Sequence, residues 1–250
     1  MVEITNVSFD LSQRIAEKSY QTTRDRIESG LSQTPGWTFS SRFDAIGSIP
    51  SPQMYPATVE IYRQGTDAQD VFLLESGMAK LVRIDSEGRE LIIDLRFPGS
   101  LMGSFSAILD RPYPLTAITL VNSRLRRIPA SLFRQLIESD VEFSMHIHQL
   151  HSALAFAHVS RVENLSCATA RQRLEQLLWQ LTFVQGVARD TKDLWLRIPL
   201  RYWEVARLIV VSPAYLSRLF SQLEREDILL RKKGRLIVRN PQRLWHQAEG

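Results

Sequence analysis

The sequence predicts an α+β protein in which a β-rich N-terminal body and a C-terminal helical module are joined by one long helix. Three observations carry that expectation. Between positions 57 and 128, six short β-prone runs are separated by glycine and proline at fairly regular intervals, as in a small antiparallel barrel or sandwich. From about Val141 to Leu165 the chain contains neither Pro nor Gly. From Ile198 to Val238 it reads as helix, tight turn, helix and basic hairpin, and the charge balance turns positive there. Arg197 to Trp245 holds 11 Lys and Arg against 4 Asp and Glu, while the preceding 196 residues hold 20 basic and 22 acidic residues. A net charge of +4 therefore conceals a basic module on a slightly acidic body.

Residues 1–56 read as an extension. Ile4–Ile27 has a helical pattern, and Ser29–Pro56 is rich in Ser, Pro and Gly, as in a linker or arm. The body spans 57–140. Its expected strands are Val59–Arg63, Asp70–Leu74, Ala79–Ile84, Glu90–Leu95, Leu115–Val121 and Ser123–Ile128, with turns at Gly65, Gly77, Gly88 and Pro98-Gly99. The alternation in Lys80-Leu81-Val82-Arg83-Ile84 is imperfect, so register is not legible there. Ser131–Glu138 reads as a short helix.

In the long helix (141–165), Phe143, Ile147, Leu150, Leu154 and Ala157 fall at alternating steps of four and three, the seam of a two-stranded coiled coil. Arg161 ends the stripe. The same residues also suit packing on the chain's own body. Residues 166–169 are expected to be a hinge, Ala170–Val184 a further helix, and 170–250 the C-terminal domain.

Inside that domain, Trp203, Val205, Ala206, Leu208 and Ile209 give one apolar helix face, with Arg201 at its head. The β-branched pair Val210-Val211 suits a turn. Ser212-Pro213 is a capping hydroxyl followed by proline at the first helical position. Leu216, Leu219, Phe220 and Leu223 then face inward, leaving Tyr215, Ser217, Arg218, Ser221 and Gln222 outside, with Ala214 counted beside them among the DNA-binding candidates. Two helices joined by so short a turn make a helix-turn-helix, whose second helix lies in the major groove of DNA. Ile228–Arg231 and Arg235–Arg239 flank Lys232-Lys233-Gly234, a hairpin placed as a wing to bring both lysines to phosphates. Basic patches of this kind bind nucleic acid by counterion release.

The stretch Val59–Gly103, with Gly65, Gly77, Gly88, Gly99 and Gly103, resembles the β-roll of a cyclic-nucleotide-binding domain. With the winged helix following, the chain from about Ala57 to Val238 resembles the cyclic-AMP receptor protein / fumarate–nitrate reduction regulator (CRP/FNR) family of bacterial transcription factors. The resemblance implies a homodimer on an inverted repeat of double-stranded DNA, with RNA polymerase as a further partner. It also places Arg218 where the family usually sets an arginine over a guanine. The preceding family positions, commonly Arg and Glu, are Pro213 and Ala214 here.

The resemblance fails at the phosphate cassette. Family members that bind cyclic nucleotide place a Glu after the glycine at 103 and an Arg-Ser pair about nine residues later. Here those positions are Ser104, Tyr113 and Pro114. A cyclic phosphate would lose its bidentate guanidinium contact, and proline removes a backbone donor. On the long helix, the polar residues offered to the purine align with His158 and Val159. Control by cyclic AMP is therefore not expected. Gly103, Ser104, Tyr113, Pro114 and His158 are left as a pocket for a neutral or weakly polar effector, or for none.

Other sensing chemistries fit poorly. An iron–sulfur cluster needs several thiolates, and Cys167 is the sole cysteine. Four of the five histidines lie on the long helix, without a carboxylate or Cys to complete a ligand set. No metal, cofactor or catalytic constellation is expected, and hence no enzyme. Two other classes stay open: a scaffold acting through protein contacts, separable by salt-dependent DNA binding, and a jelly-roll metalloenzyme using His151 or His158, separable by metal analysis. No run approaches the ~20 apolar residues that span a bilayer. The first residues lack a basic-then-apolar leader, and a single cysteine fits a reducing cytoplasm. Whether the chain activates or represses, its target site and the role of residues 1–56 are not legible.

Overall fold

The structure, a computed structural model, describes residues 49–185, 187–188, 194–196, 198–232 and 235–239. The expected helix at 4–27, most of the arm, and the wing residues Lys233 and Gly234 lie outside the described residues.

The body is a β-roll of two four-stranded sheets. Strands β1 (Gln53–Tyr55), β8 (Ser123–Pro129), β3 (Asp70–Ser76) and β6 (Leu101–Met102) form one sheet in the order β1-β8-β3-β6. Strands β2 (Glu60–Tyr62), β7 (Thr116–Thr119), β4 (Ala79–Ile84) and β5 (Glu90–Arg96) form the other, in the order β2-β7-β4-β5. β1 pairs Gln53–Tyr55 with Ser123–Leu125, so the roll begins inside the stretch assigned from sequence to the extension. Phe72, Leu74, Ala79, Leu81 and Leu125 fill the space between the sheets. Gly77 sits at φ 96°, and a Cβ there would come within 2.3 Å of Ser123, so only glycine lets β3 turn into β4 past β8.

Helix α1 (Ser104–Leu109) follows β6, and α2 (Ala130–Ser139) follows β8. Long helix α3 (Val141–Cys167) starts where Asp140 accepts a hydrogen bond from Phe143 N at 2.9 Å. Phe133 and Phe143 meet edge to face at 5.7 Å, fixing α3 to α2 and the outer side of the roll.

The expected hinge is shorter than 166–169, because α3 runs through Cys167 and α4 (Ala170–Gln185) begins three residues later. Thr169 and Gln172 form a reciprocal capping box, Thr169 N to Gln172 Oε1 at 2.8 Å and Gln172 N to Thr169 Oγ1 at 3.2 Å. Ala168, in extended backbone, is the link. The remaining elements are β9 (Val187–Ala188), β10 (Leu194–Leu196), α5 (Tyr202–Leu208), α6 (Pro213–Arg225), β11 (Leu229–Lys232) and β12 (Arg235–Val238). The wing hairpin is thus half of a sheet ordered β11-β12-β10-β9.

Candidate nucleic-acid interface and sensor pocket

Helix α5 starts with Arg201 N donating to Glu204 Oε2 at 2.7 Å. It ends in a turn that places Val210 at φ 55° and returns Val211 N to Ala206 O at 2.9 Å. Ser212 Oγ then accepts from Tyr215 N at 3.2 Å, with Pro213 at the first position of α6. Leu216, Leu219, Phe220 and Leu223 are buried. Ser212, Pro213, Ala214, Tyr215, Ser217 and Arg218 are exposed, as is Arg201 ahead of α5, whereas Gln222 is half-buried. Arg231 is exposed, pairs with Glu224 at 2.6 Å and lies over the Phe220 ring at 5.7 Å. Lys232 is exposed at the end of β11, opposite Arg235. Helix α6 therefore offers an exposed polar face on a rigid, capped helix, with a cationic strand end nearby in sequence.

The residues singled out as an effector pocket do not converge. Tyr113 is buried, and its hydroxyl donates to Asp70 O at 2.6 Å and accepts from Asp70 N at 3.2 Å. Its ring stacks on Tyr62 and lies so near Gly103 that a Cβ there would stand 2.8 Å from it. Burial raises the pKa of both phenols above the usual tyrosine value. The two rings, with Asp70 and Arg127, wall an open cavity of about 440 Å³. Ser104 is buried with its Oγ 3.0 Å from His151 Nε2, and His151 stacks on Phe105 at 4.2 Å. Burial, and then the charge of His148, lowers the His151 pKa below its ordinary value. Pro114 is exposed. His158 lines a different cavity, of about 300 Å³, between β5, α3 and α4. The pocket named from sequence is thus corrected, because α3 crosses the roll with His151, and not His158, against the α1 loop. His151 and His158, the two imidazoles considered as metal ligands, sit in separate places. No group of three or more His, Cys, Asp or Glu able to hold a metal ion occurs among the described residues.

Part of the helix seam faces the chain's own body. Phe143 and Ile147 are buried in the core that α3 shares with α2 and the roll, and Leu150 packs against that core. Leu154 is half-buried beside the 300 Å³ cavity, and Arg161 donates to Ile93 O. Ala157 is exposed. The large apolar side chains that α3 leaves in solvent are instead Val141, Met145, Phe156, Val159, Val162 and Leu165. The helix carries two apolar faces, and the four-three stripe is mostly the inner one.

Residues 52–140 match the family model "Cyclic nucleotide-binding domain", and residues 172–246 match the "Crp-like helix-turn-helix domain". The chain belongs to the CRP/FNR family of transcription regulators. This CRP/FNR member is 21% identical over 209 residues to the "Anaerobic regulatory protein" of Bacillus subtilis, covering 80% of this chain and 84% of that one. It is 25% identical over 217 residues to the "Cyclic AMP receptor protein" of Thermus thermophilus, covering 79% and 88%. Among solved structures, FixK2 from Bradyrhizobium japonicum superposes with a TM-score of 0.67 at 22% identity, covering 79% of this chain and 96% of that one. A CRP/FNR-family transcriptional regulator from Thermus thermophilus gives 0.65 at 19%, covering 80% and 98%. No helix among the described residues is long and apolar enough to cross a membrane.

Proposed function

We propose that this CRP/FNR regulator works as a homodimer that reads an inverted repeat through α6 and does so without cyclic AMP. One observation carries the second half. Tyr113, which the resemblance aligns with the arginine that grips the phosphate in cyclic-nucleotide binders, stands against Gly103, stacked on Tyr62 and bonded to the Asp70 backbone. A phosphate beside it would meet a buried aromatic ring and find no guanidinium. Reading of DNA is supported by the exposed face of α6, where Arg218 has no ion pair among the described residues. Dimerisation is supported by the exposed apolar face of α3, which a second copy would cover.

Regulation then comes from abundance, from a different small ligand, or from the N-terminal arm. The work place is the cytoplasm, with RNA polymerase as the downstream partner and no catalytic step. Calorimetric titration with cyclic AMP and cyclic GMP, beside DNA-binding assays with and without each nucleotide, tests this reading. We expect no heat and no change in DNA affinity. Micromolar binding of either nucleotide, with a tenfold gain in DNA affinity (about 1.4 kcal/mol of coupling), would sink it. Genomic footprinting supplies the site and the regulated genes.

A further inference from the structure

The helix-turn-helix is not attached by Ala168 alone. Met78, just ahead of β4, and Val82, Ile92 and Leu95, on the outward side of β4 and β5, share one buried cluster with Val205, Ala206 and Ile209 around α5. A charged pair lies within this apolar contact. Lys80 Nζ is 2.7 Å from Glu204 Oε1 and 3.2 Å from Glu90 Oε2. Lys80 is 9% exposed and Glu204 4%. The second oxygen of Glu204 takes the Arg201 N–H that caps α5. At the rim, Arg207 donates to the carbonyl of Glu90 at 2.7 Å.

We infer that the Lys80–Glu204 pair is a latch that fixes the helix-turn-helix on the β-roll and so sets the direction in which α6 faces DNA. Apolar contact is non-directional and tolerates sliding. A buried ion pair whose partners are each tied to a further group accepts one arrangement, because displacement leaves two uncompensated charges out of water. Glu204 also ties the latch to the reading head: it caps α5, and Tyr202 beside it lies 5.9 Å from the Phe220 ring of α6. The outer face of α6 is open to solvent in the docked arrangement, so the latch holds a reading state and not a masked one. The inference rests on the reading of the chain as a DNA binder that needs no cyclic nucleotide. Where Tyr113 stands at the position of the arginine that would grip a phosphate, the orientation that a ligand would otherwise select must come from the chain itself.

A double-mutant cycle in the full chain tests it, with Lys80→Gln, Glu204→Gln and the double variant. Gln at 204 keeps an oxygen for the α5 cap, so the coupling between the two changes reports the pair. Two readouts are followed, amide hydrogen exchange and affinity for a selected duplex. Lys80→Gln is expected to speed exchange at least tenfold at residues 78–82 and 203–209, leave 71–74 in the opposite sheet unchanged, and weaken DNA binding at least tenfold. The double variant should lose much less than the product of the two single effects. If Lys80→Gln fails to fold, Arg207→Ala loosens the same junction from its exposed rim and should speed exchange there by a smaller factor. Single effects that simply multiply, unchanged exchange, or faster exchange with unchanged DNA affinity would each overturn the latch. A wild-type chain that binds no duplex, while Lys80→Gln still frees the junction, overturns the DNA-binding reading and upholds the junction as a clamp.

Discussion

Tyr113 and Tyr62 stack with ring centroids 4.0 Å apart and planes 19° from parallel, so the β-roll closes on its own aromatic pair at the cassette. The Tyr113 hydroxyl adds a hydrogen bond to Asp70 O at 2.6 Å. The ring contributes mainly through its buried area and the hydroxyl through its two hydrogen bonds to the Asp70 backbone. Tyr113→Phe should therefore cost about 1–2 kcal/mol, and Tyr113→Ala about 3–5 kcal/mol by leaving a cavity. Urea denaturation measures both. Equal losses from the two variants would mean that the ring contributes no more than its hydroxyl.

The turn between α5 and α6 is strained. Val210 is β-branched, holds φ 55° and is 63% exposed, so it sits in left-handed backbone with little burial in compensation. Left-handed geometry costs an L-residue roughly 1–2 kcal/mol, and glycine avoids that at an entropic cost of about 0.5–1 kcal/mol. Val210→Gly should raise stability by about 0.5–1 kcal/mol without weakening DNA binding. A thermal melt beside a binding curve decides it, and a lower melting temperature would show that the side chain stabilises the turn.

His151 gives the fold a pH dependence. Burial lowers its pKa, so the folded protein holds the proton less tightly than the unfolded chain. Stability is full above the unfolded value of about 6.5 and is lost as pH falls toward the lowered folded value. His151→Gln keeps a hydrogen-bonding group near Ser104 but does not titrate. Its denaturation midpoint should change less than that of the wild type between about pH 7.5 and about pH 5.5. Parallel curves for the two proteins would remove His151 from the account.

Much of this was legible in the chain. Ala79–Ile84 is legible to the residue, because Gly77 and Gly88 bracket a short run holding Leu81, Val82 and Ile84. The capped start of α6 was legible because Ser212-Pro213 states it locally. What escaped depended on partners remote in sequence. The alternation of β4 looked imperfect because both faces are buried, Ala79 and Leu81 in the roll and Lys80 and Val82 against the helix-turn-helix. The α3 stripe stays open to both roles in the sequence because a helix with apolar residues on two sides does not say which side meets its own domain. Strand β6, two residues long, and helix α1, six residues long, are too short for periodicity to register.

The two faces of α3 separate by mutation. Phe143→Ala empties a fully buried site and should cost about 3–5 kcal/mol of stability. Val159→Glu places a charge on the outward face and should leave the fold intact. It should weaken self-association at least tenfold, about 1.4 kcal/mol. Sedimentation equilibrium beside denaturation distinguishes them. A Val159→Glu protein that dimerises like the wild type would exclude this face as the interface.

Base reading and phosphate anchoring should also come apart. Arg218 is exposed on α6 beside Tyr215 and Ser217, free to reach a base edge, whereas Lys232 ends β11 in the wing. An arginine that grips a guanine discriminates among bases, so Arg218→Ala should cost about 1–3 kcal/mol and relax preference at one base pair in each half-site. A lysine on a phosphate does not discriminate. Lys232→Ala should weaken all duplexes alike and reduce the slope of log affinity against log salt by about 1. Pro213 and Ala214 replace the residues that the family commonly uses just before Tyr215, so the selected half-site should differ from that of a cyclic-AMP receptor protein. Selection from a randomised duplex pool, repeated for each variant at two salt concentrations, reads all three expectations. If Arg218→Ala selects the wild-type site with undiminished preference at every position, α6 does not read bases through Arg218.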